Sequence, residues 1–124
     1  MPHRILIVDD NALIRRSIRD CIEQNTDWKV CGEADNGRLA IDQVQRLRPD
    51  AVILDWQMPE MNGLEAAREI HRIAPSTTML MLTLHDFGSL RQEAHAVGIR
   101  EVLSKTEQVS EKLITSLRNV RASA

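Results

Sequence analysis

Apolar residues along the chain form short unbroken runs that alternate with longer segments of helical periodicity. Such runs predict strands at five places, residues 5–8, 29–34, 51–54, 79–82 and 101–103. An amphipathic segment follows each run, as with Ile14, Ile18 and Ile22 after the first. A strand followed by a helix, repeated in this way, is typical of an α/β fold in which helices cover both faces of a parallel sheet.

The polarity of each run predicts its place in the sheet. Runs 5–8, 51–54 and 79–82 are apolar throughout, as expected of strands buried on both faces. Run 29–34 mixes polar and apolar residues and run 101–103 is short and begins with a charge, so we expect both at the edges. Right-handed crossovers then favour a doubly wound, flavodoxin-like (βα)5 sheet with strand order 2-1-3-4-5. A ligand site is expected beyond the carboxyl ends of the strands where the winding reverses, between the first and third strands.

Length and composition indicate a globular chain. Its 124 residues are 43% hydrophobic and 27% charged, from which we expect one domain over residues 1–124. No run approaches the roughly 18 apolar residues that span a bilayer, and no signal-peptide pattern opens the chain, so we expect a cytoplasmic protein without membrane contact. A net charge of −2 with scattered basic residues argues against direct nucleic-acid binding. Cys21 and Cys31 form no C-x-x-C pair, and we expect both to be reduced core residues.

Three carboxylates are expected at the point where the winding reverses. Asp9 and Asp10 follow the first strand, and Asp55 follows the apolar residues of the third. Any one of them could be a helix cap or an ordinary loop acid. Three carboxylates close together repel one another, however, so either protons are retained or a cation is bound. Oxygen ligands suit Mg²⁺, which keeps coordination positions for water and phosphate, and we therefore expect a Mg²⁺ site.

A hydroxyl and an ammonium group are predicted at the same edge of the sheet. Thr83 follows the fourth strand, and Lys105 follows the fifth. Taken alone, each is commonly a strand-end residue or a solvated charge. Transfer of a phosphoryl group to a carboxylate needs a nucleophile, neutralisation of the phosphoryl oxygens and positioning. Asp55, Mg²⁺ with Lys105, and Thr83 can supply these in turn.

Four segments together resemble the signature of bacterial response-regulator receiver domains, namely Val8-Asp9-Asp10-Asn11, the stretch from Leu54-Asp55 to Asn62-Gly63, Thr83, and Leu103-Ser104-Lys105. The resemblance extends over essentially the whole chain. It implies that Asp55 is the phosphoacceptor. It also implies that Asp10, Asp55 and the backbone carbonyl of Gln57 bind Mg²⁺, with Asp9 joining through water.

The resemblance further implies partners and a switch. Lys105 would pair with the phosphoryl group, and Thr83 would move to hydrogen-bond it. The donor would be a phosphohistidine of a sensor histidine kinase or a phosphotransfer protein. The face made by helix 4, strand 5 and helix 5 would reach a downstream target or an output domain that this chain lacks, and homodimer formation stays open. Residues 83–86 also resemble receivers that precede an output domain of the nitrate-regulator type.

Several positions bear on how this receiver would work. The position in strand 5 that is usually aromatic is Val102 here, which puts the usual aromatic switch in doubt. Thr106 stands where the family often has a proline after the lysine, which puts in doubt the cis peptide bond often found there. Gln57 and His85, each two residues after a site residue, are expected to limit the approach of water. Phe87 is a candidate substitute ring at the start of helix 4.

Three other functions compete on the residues alone. Aspartate-nucleophile phosphatases need a second aspartate two residues after the nucleophile, where this chain has Gln57. A degenerate receiver would bind partners without phosphorylation, and the full set of acids with Thr83 and Lys105 argues against it. A flavin carrier would need a phosphate-binding loop after strand 1, where Asp9 and Asp10 would repel a phosphate. We therefore expect a signalling domain rather than an enzyme.

Overall fold

The fold is an alternation of strands and helices. A computed structural model describes residues 3–84, 88–105 and 109–123, and the side chains of these as far as residue 120. The elements are β1 (Arg4–Val8), α1 (Ala12–Asn25), β2 (Lys29–Ala34), α2 (Gly37–Leu47), β3 (Ala51–Asp55), α3 (Gly63–Ile73), β4 (Thr78–Thr83), α4 (Gly88–Ala96), β5 (Ile99–Ser104) and α5 (Val109–Ser123). All five predicted strands are therefore present, with a helix after each.

The strands form one parallel sheet in the order β2-β1-β3-β4-β5, which confirms the predicted topology. The central strands β1, β3 and β4 are buried almost throughout, whereas the edge strand β2 is mostly half-buried. Val8 of β1 pairs with Leu54 of β3, and Thr83 of β4 pairs with Ser104 of β5. The carboxyl ends of these strands therefore lie side by side at one edge of the sheet.

Alternating side chains divide the core between the two faces of the sheet. On one face, Leu6 and Val8 of β1 pack with buried residues of α2, α3 and α4. On the other face, Ile5 and Ile7 pack with buried residues of α1 and α5. Burial of both faces explains why the central strands need unbroken apolar sequences.

Asparagine side chains cap α1 and α3, the helices that follow the two strands ending in aspartates. Asn11 accepts hydrogen bonds from the N–H groups of Leu13 and Ile14 at 2.9 and 3.2 Å, so α1 starts directly after the acid pair. Asn62 and Glu65 form a reciprocal capping box at the start of α3. These caps end the loops after β1 and β3 at defined residues.

The two cysteines are free thiols, but the prediction that both are core residues is wrong. Each is only half-buried. Cys21 borders a groove between α1 and α5, and Cys31 lies on β2, where the sheet ends. Burial nevertheless raises the pKa of the Cys31 thiol. Within residues 3–84, 88–105 and 109–123, no helix has the length and apolar character needed to cross a membrane.

Candidate functional site

The parallel pairing of β1 and β3 brings three carboxylates together. Asp9, Asp10 and Asp55 each offer one oxygen atom, and these atoms lie within 4.8 Å of one another. Asp9 and Asp55 are only 1% and 6% exposed, whereas Asp10 faces solvent. The three acids thus meet where the reversal of winding predicted them. Their donor set of carboxylate oxygens suits a hard divalent cation such as Mg²⁺.

Lys105 joins the two buried acids. Its Nζ lies 2.9 Å from Asp9 Oδ2 and 3.0 Å from Asp55 Oδ1. Its backbone N–H donates to the carbonyl of Thr83 at 2.7 Å, which ties the segment after β5 to the end of β4. Burial lowers the pKa of Lys105, but hydrogen bonds to the two carboxylates outweigh it and leave the pKa raised. The ammonium is therefore held in its charged form.

Asp55 is held in an environment that disfavours its charge. Burial raises its pKa most, and the carboxylates of Asp9 and Asp10 raise it further, while the hydrogen bond from Lys105 only partly offsets these effects. One ammonium group among three carboxylates leaves the cluster net negative. A cation, or neutralisation of one acid, would therefore stabilise the site.

The two acids after β1 are held in different ways. Asp9 Oδ1 accepts the backbone N–H of Asn11 at 2.8 Å, and Asp9 Oδ2 accepts Lys105. The N–H of Asp9 donates to the carbonyl of Ala34 on β2 at 3.1 Å. Within the described part of the chain, the Asp10 side chain makes no hydrogen bond or ion pair. Asp9 therefore has both carboxylate oxygens engaged, whereas Asp10 keeps both available for a ligand.

The remaining predicted site residues line the same cleft. Thr83, 2% exposed, ends β4, and Gln57 is exposed in the loop after β3. A cleft of about 340 Å³ is lined by Asp9, Asp10, Asn11, Ile14, Asp55, Gln57, Thr83, Leu84 and Lys105. All six residues predicted for the site are among them. Asn11, Ile14 and Leu84 were not predicted, although Asn11 could have been inferred from its place beside the acid pair.

Gly63 packs the loop after β3 closely against the end of β3. Its N–H donates to the carbonyl of Trp56 at 2.8 Å. A Cβ atom on Gly63 would lie 2.4 Å from the carbonyl oxygen of Asp55, closer than any side chain can pack. Only glycine fits this approach. Trp56 packs partly buried against the core on the α2 and α3 side and does not line the cleft.

Val102, at the usual position of the aromatic switch, is buried at 3% exposure in the core beneath α4. Its carbonyl accepts a hydrogen bond from the Arg91 side chain of α4 at 3.1 Å. His85, Phe87 and Thr106 lie outside the described residues, so the expectations placed on them stay predictions.

Comparison with known proteins decides the family. A family model described as the response regulator receiver domain matches residues 5–118. The chain belongs to this family. Chemotaxis protein CheY of Thermotoga maritima is 36% identical over 120 residues, which cover 97% of this chain and 98% of CheY. The signal receiver domain of response regulator NarL from Mycobacterium tuberculosis superposes with a TM-score of 0.88 at 26% identity, with 97% of each chain covered. The receiver resemblance inferred from the motifs is thus confirmed.

Other relatives are longer proteins. The protein-glutamate methylesterase/protein-glutamine glutaminase of Alkalilimnicola ehrlichii is 44% identical over 84 residues, or 68% of this chain and 22% of that protein. The corresponding protein of Methanococcoides burtonii is covered over 35% of its length. The receiver domain described here is a signalling module. It is the phosphoacceptor module of two-component systems, and its cluster of Asp9, Asp10 and Asp55 fits the phosphoacceptor site.

Proposed function

We propose that residues 1–124 act as one domain in which Asp55 takes a phosphoryl group from a phosphohistidine of a sensor kinase or phosphotransfer protein, in a reaction that needs Mg²⁺. One observation carries the proposal. Asp55 Oδ1 lies 3.0 Å from Lys105 Nζ within an acid cluster whose oxygens lie within 4.8 Å of one another. A nucleophile, a charge-neutralising group and a metal-binding donor set thus share one cleft.

The cleft offers oxygen ligands, which Mg²⁺ prefers. Carboxylate oxygens of Asp10 and Asp55 and the backbone carbonyl of Gln57 would hold it directly, and Asp9 would join through water, since Lys105 and Asn11 already occupy its carboxylate. When bound, Mg²⁺ neutralises charge on the phosphoryl oxygens and relieves repulsion among the acids.

Asp55 supplies the nucleophile of the transfer. One of its carboxylate oxygens forms the bond to phosphorus, while the bond from phosphorus to the donor's imidazole nitrogen breaks and that nitrogen keeps the electron pair. Lys105, 3.0 Å from Asp55 Oδ1, lies where it can pair with a phosphoryl oxygen without a large movement. The Thr83 hydroxyl would donate to another phosphoryl oxygen from the end of β4.

An apolar surface beside the cleft supports docking of the donor. Leu13 and Leu84 are 75% and 66% exposed, and a groove of about 400 Å³ between α1 and α5 adjoins them. Exposed apolar side chains next to polar chemistry are typical of protein interaction sites. We propose that the phosphohistidine donor covers this surface during transfer.

The signal would leave through α4, β5 and α5. Arg91 of α4 donates to the Val102 carbonyl of β5, and the Ser116 hydroxyl of α5 donates to the Glu101 carboxylate of β5. A shift of β5 would therefore reach both helices. The downstream target or output domain, a homodimer through this face and a cytoplasmic location stay predictions.

Intact mass spectrometry tests the proposal. Acetyl phosphate with Mg²⁺ should add about 80 Da, the mass of one phosphoryl group, to the wild-type chain. Asp55→Asn should abolish the gain, and chelation of Mg²⁺ should suppress it. Asp42→Asn, which changes an exposed acid on α2, is the matched control and should be modified normally. Modification of Asp55→Asn at the wild-type rate would contradict the assignment, and no gain in wild type would favour a degenerate receiver.

A further inference from the structure

Arg15, in the first turn of α1, contacts the backbone of Asp9, and its side chain does not line the cleft. Its Nη1 donates to the backbone carbonyl of Asp9 at 2.6 Å, and its Nε donates to Glu33 Oε1 at 2.9 Å. The Arg15 side chain is only 18% exposed. Neither Arg15 nor Glu33 has a part in the function proposed above.

We propose that Arg15 is a positioning residue of the Mg²⁺ site, which holds the peptide group between Asp9 and Asp10 and so directs the Asp10 carboxylate toward the metal. This role rests on the proposed function, since it requires that the acids bind Mg²⁺. Arg15 itself touches neither the cation nor the phosphoryl group.

The need for such a residue follows from how Asp10 is held. The Asp10 side chain has no hydrogen bond or ion pair among the described residues, so only the backbone restrains it. The peptide group that enters Asp10 carries the Asp9 carbonyl. A peptide plane can rotate by compensating changes in the dihedral angles on its two sides, and a charged donor on its carbonyl opposes that rotation. Arg15 supplies this donor.

The neighbouring backbone is fixed on both sides of that peptide group. The Asp9 N–H donates to Ala34 on β2 at 3.1 Å, and the Asn11 N–H donates to Asp9 Oδ1 at 2.8 Å. The contact of Arg15 with the Asp9 carbonyl completes the restraint. Without it, the peptide group before the exposed metal ligand would have no hydrogen bond on its carbonyl within the described residues.

Arg15 is in turn held by the sheet edge. Glu33 of β2 accepts Arg15 at one carboxylate oxygen and Arg19 at the other, with distances of 2.9 Å from Arg15 Nε and 2.7 Å from Arg19 Nη2. Although burial raises the pKa of Glu33, its hydrogen bonds to Arg19 and Arg15 outweigh this and leave the pKa lowered. The planar guanidinium of Arg15 thus spans from Glu33 to the Asp9 carbonyl with two donors of fixed geometry.

Positioning and simple electrostatics predict opposite results. Arg15 and Arg19 are both cations on α1, and both bind Glu33 of β2. If their charge were all that mattered, removing either would strengthen the binding of a cation such as Mg²⁺. If Arg15 positions Asp10, its removal weakens Mg²⁺ binding despite the lost repulsion. The sign of the change therefore separates the two explanations.

The experiment compares Arg15→Met with the matched control Arg19→Met, which removes a cation from the same Glu33 but no contact to Asp9. Mg²⁺ affinity is measured by isothermal titration calorimetry on each whole chain. Loss of an outer contact to a metal ligand typically weakens binding by about tenfold or more. We expect that loss for Arg15→Met and an unchanged or tighter affinity for Arg19→Met. The rate of phosphorylation by acetyl phosphate should recover in Arg15→Met at saturating Mg²⁺.

Arg15→Lys keeps the charge but loses the planar pair of donors, so it should also weaken Mg²⁺ binding, and it decides the question if Arg15→Met does not fold by circular dichroism. The proposal would be overturned if both Arg15 variants bound Mg²⁺ within about twofold of the wild-type affinity, since such contacts typically contribute about tenfold. An equal loss in Arg19→Met would overturn it too, since the Asp9 contact would then not be the cause. Failure of the wild-type chain to bind Mg²⁺ would instead contradict the proposed function itself, and this inference with it.

Discussion

Replacing Asp55 by asparagine should stabilise the folded chain when Mg²⁺ is absent. Asp55 is 6% exposed, and its carboxylate lies in one cluster with those of Asp9 and Asp10. Burial and these two neighbours raise its pKa, and Lys105 offsets them only in part. Asparagine removes the buried charge and keeps a carbonyl oxygen that can accept a hydrogen bond from Lys105.

Coulomb's law sets the size of the effect. At an effective dielectric constant of about 20, charges at most 4.8 Å apart repel by at least about 3.5 kcal/mol. The Lys105 ammonium, 3.0 Å away, attracts the Asp55 charge by about 5.5 kcal/mol at the same dielectric constant. Two repulsions exceed this one attraction by roughly 1.5 kcal/mol. We therefore expect Asp55→Asn to raise the free energy of unfolding by about 1 to 2 kcal/mol.

Urea unfolding followed by far-ultraviolet circular dichroism, in a chelator at neutral pH, measures this gain. Because the pKa of Asp55 is raised on folding, its ionisation destabilises the fold, so the gain should vanish as the pH falls toward the ordinary value of 3.8. Mg²⁺ should narrow the difference, since binding at ten times the dissociation constant stabilises the wild-type fold by about 1.4 kcal/mol.

Asp42→Asn is the matched control, because Asp42 is an exposed acid of α2, and it should change the unfolding free energy little. If Asp55→Asn were no more stable than Asp42→Asn without Mg²⁺, the repulsion inferred for the cluster would be refuted. A gain unaffected by Mg²⁺ would show that Asp55 does not take part in binding the cation.

Four further predictions concern single positions. Mg²⁺ should change the fluorescence of Trp56, which directly follows Asp55, and Asp10→Ala should remove most of the response by removing a ligand. Gly63→Ala should lower the unfolding free energy by about 2 kcal/mol or more, measured in urea, because its Cβ would meet a backbone oxygen at 2.4 Å. Glu33→Gln should destabilise the chain at neutral pH and flatten the loss of stability as the pH falls below 4.5, since the lowered pKa of Glu33 contributes stability above that value. With beryllofluoride, hydrogen exchange should change across α4 more than at Val102, whose β-branched, buried side chain cannot swing as an aromatic ring does.

Each of these predictions has a control variant or a result that would contradict it. Trp56→Phe keeps Trp28, so a fluorescence response to Mg²⁺ that persists in this variant would not come from Trp56. Gly88→Ala has open space around its Cβ and should be tolerated, in contrast to Gly63→Ala. An unchanged pH profile in Glu33→Gln would mean that the two arginines do not hold its charge in solution. Large exchange changes confined to β5, with α4 unaffected, would show that the switch does not run through α4.

Much of the fold could be predicted from local patterns. A strand buried on one face alternates apolar and polar residues, and a strand buried on both faces is apolar throughout. Run 29–34 was predicted with the bounds that β2 has. At β5 the prediction covered only 101–103, whereas the strand runs from Ile99 to Ser104. Arg100 and Glu101 interrupt its apolar pattern, because one side of an edge strand meets solvent and tolerates charge.

The convergence of the acids was also determined by the sequence. Parallel strands end at one edge of a sheet, so residues that follow the strands must lie near one another once the strand order is known. For this reason the sequence alone predicts that Asp9, Asp55 and Lys105 lie together. That Lys105 bridges both buried acids, at 2.9 and 3.0 Å, was decided only by the packing of the segment after β5.

Only the tertiary structure shows which residues outside the sequence motifs contact the backbone and side chains of the acid cluster. Arg15 reaches a backbone carbonyl, and every residue carries such an acceptor, so nothing in the sequence distinguishes Asp9 as its partner. From the sequence, Glu33 is only a polar residue of an edge strand. Its contacts with Arg15 and Arg19 arise when α1 packs against β2. The half-burial of Cys31 has the same origin, since it depends on what covers the sheet edge. Periodicity determines which face of an element is buried, whereas the distances between side chains on different elements arise only when those elements pack.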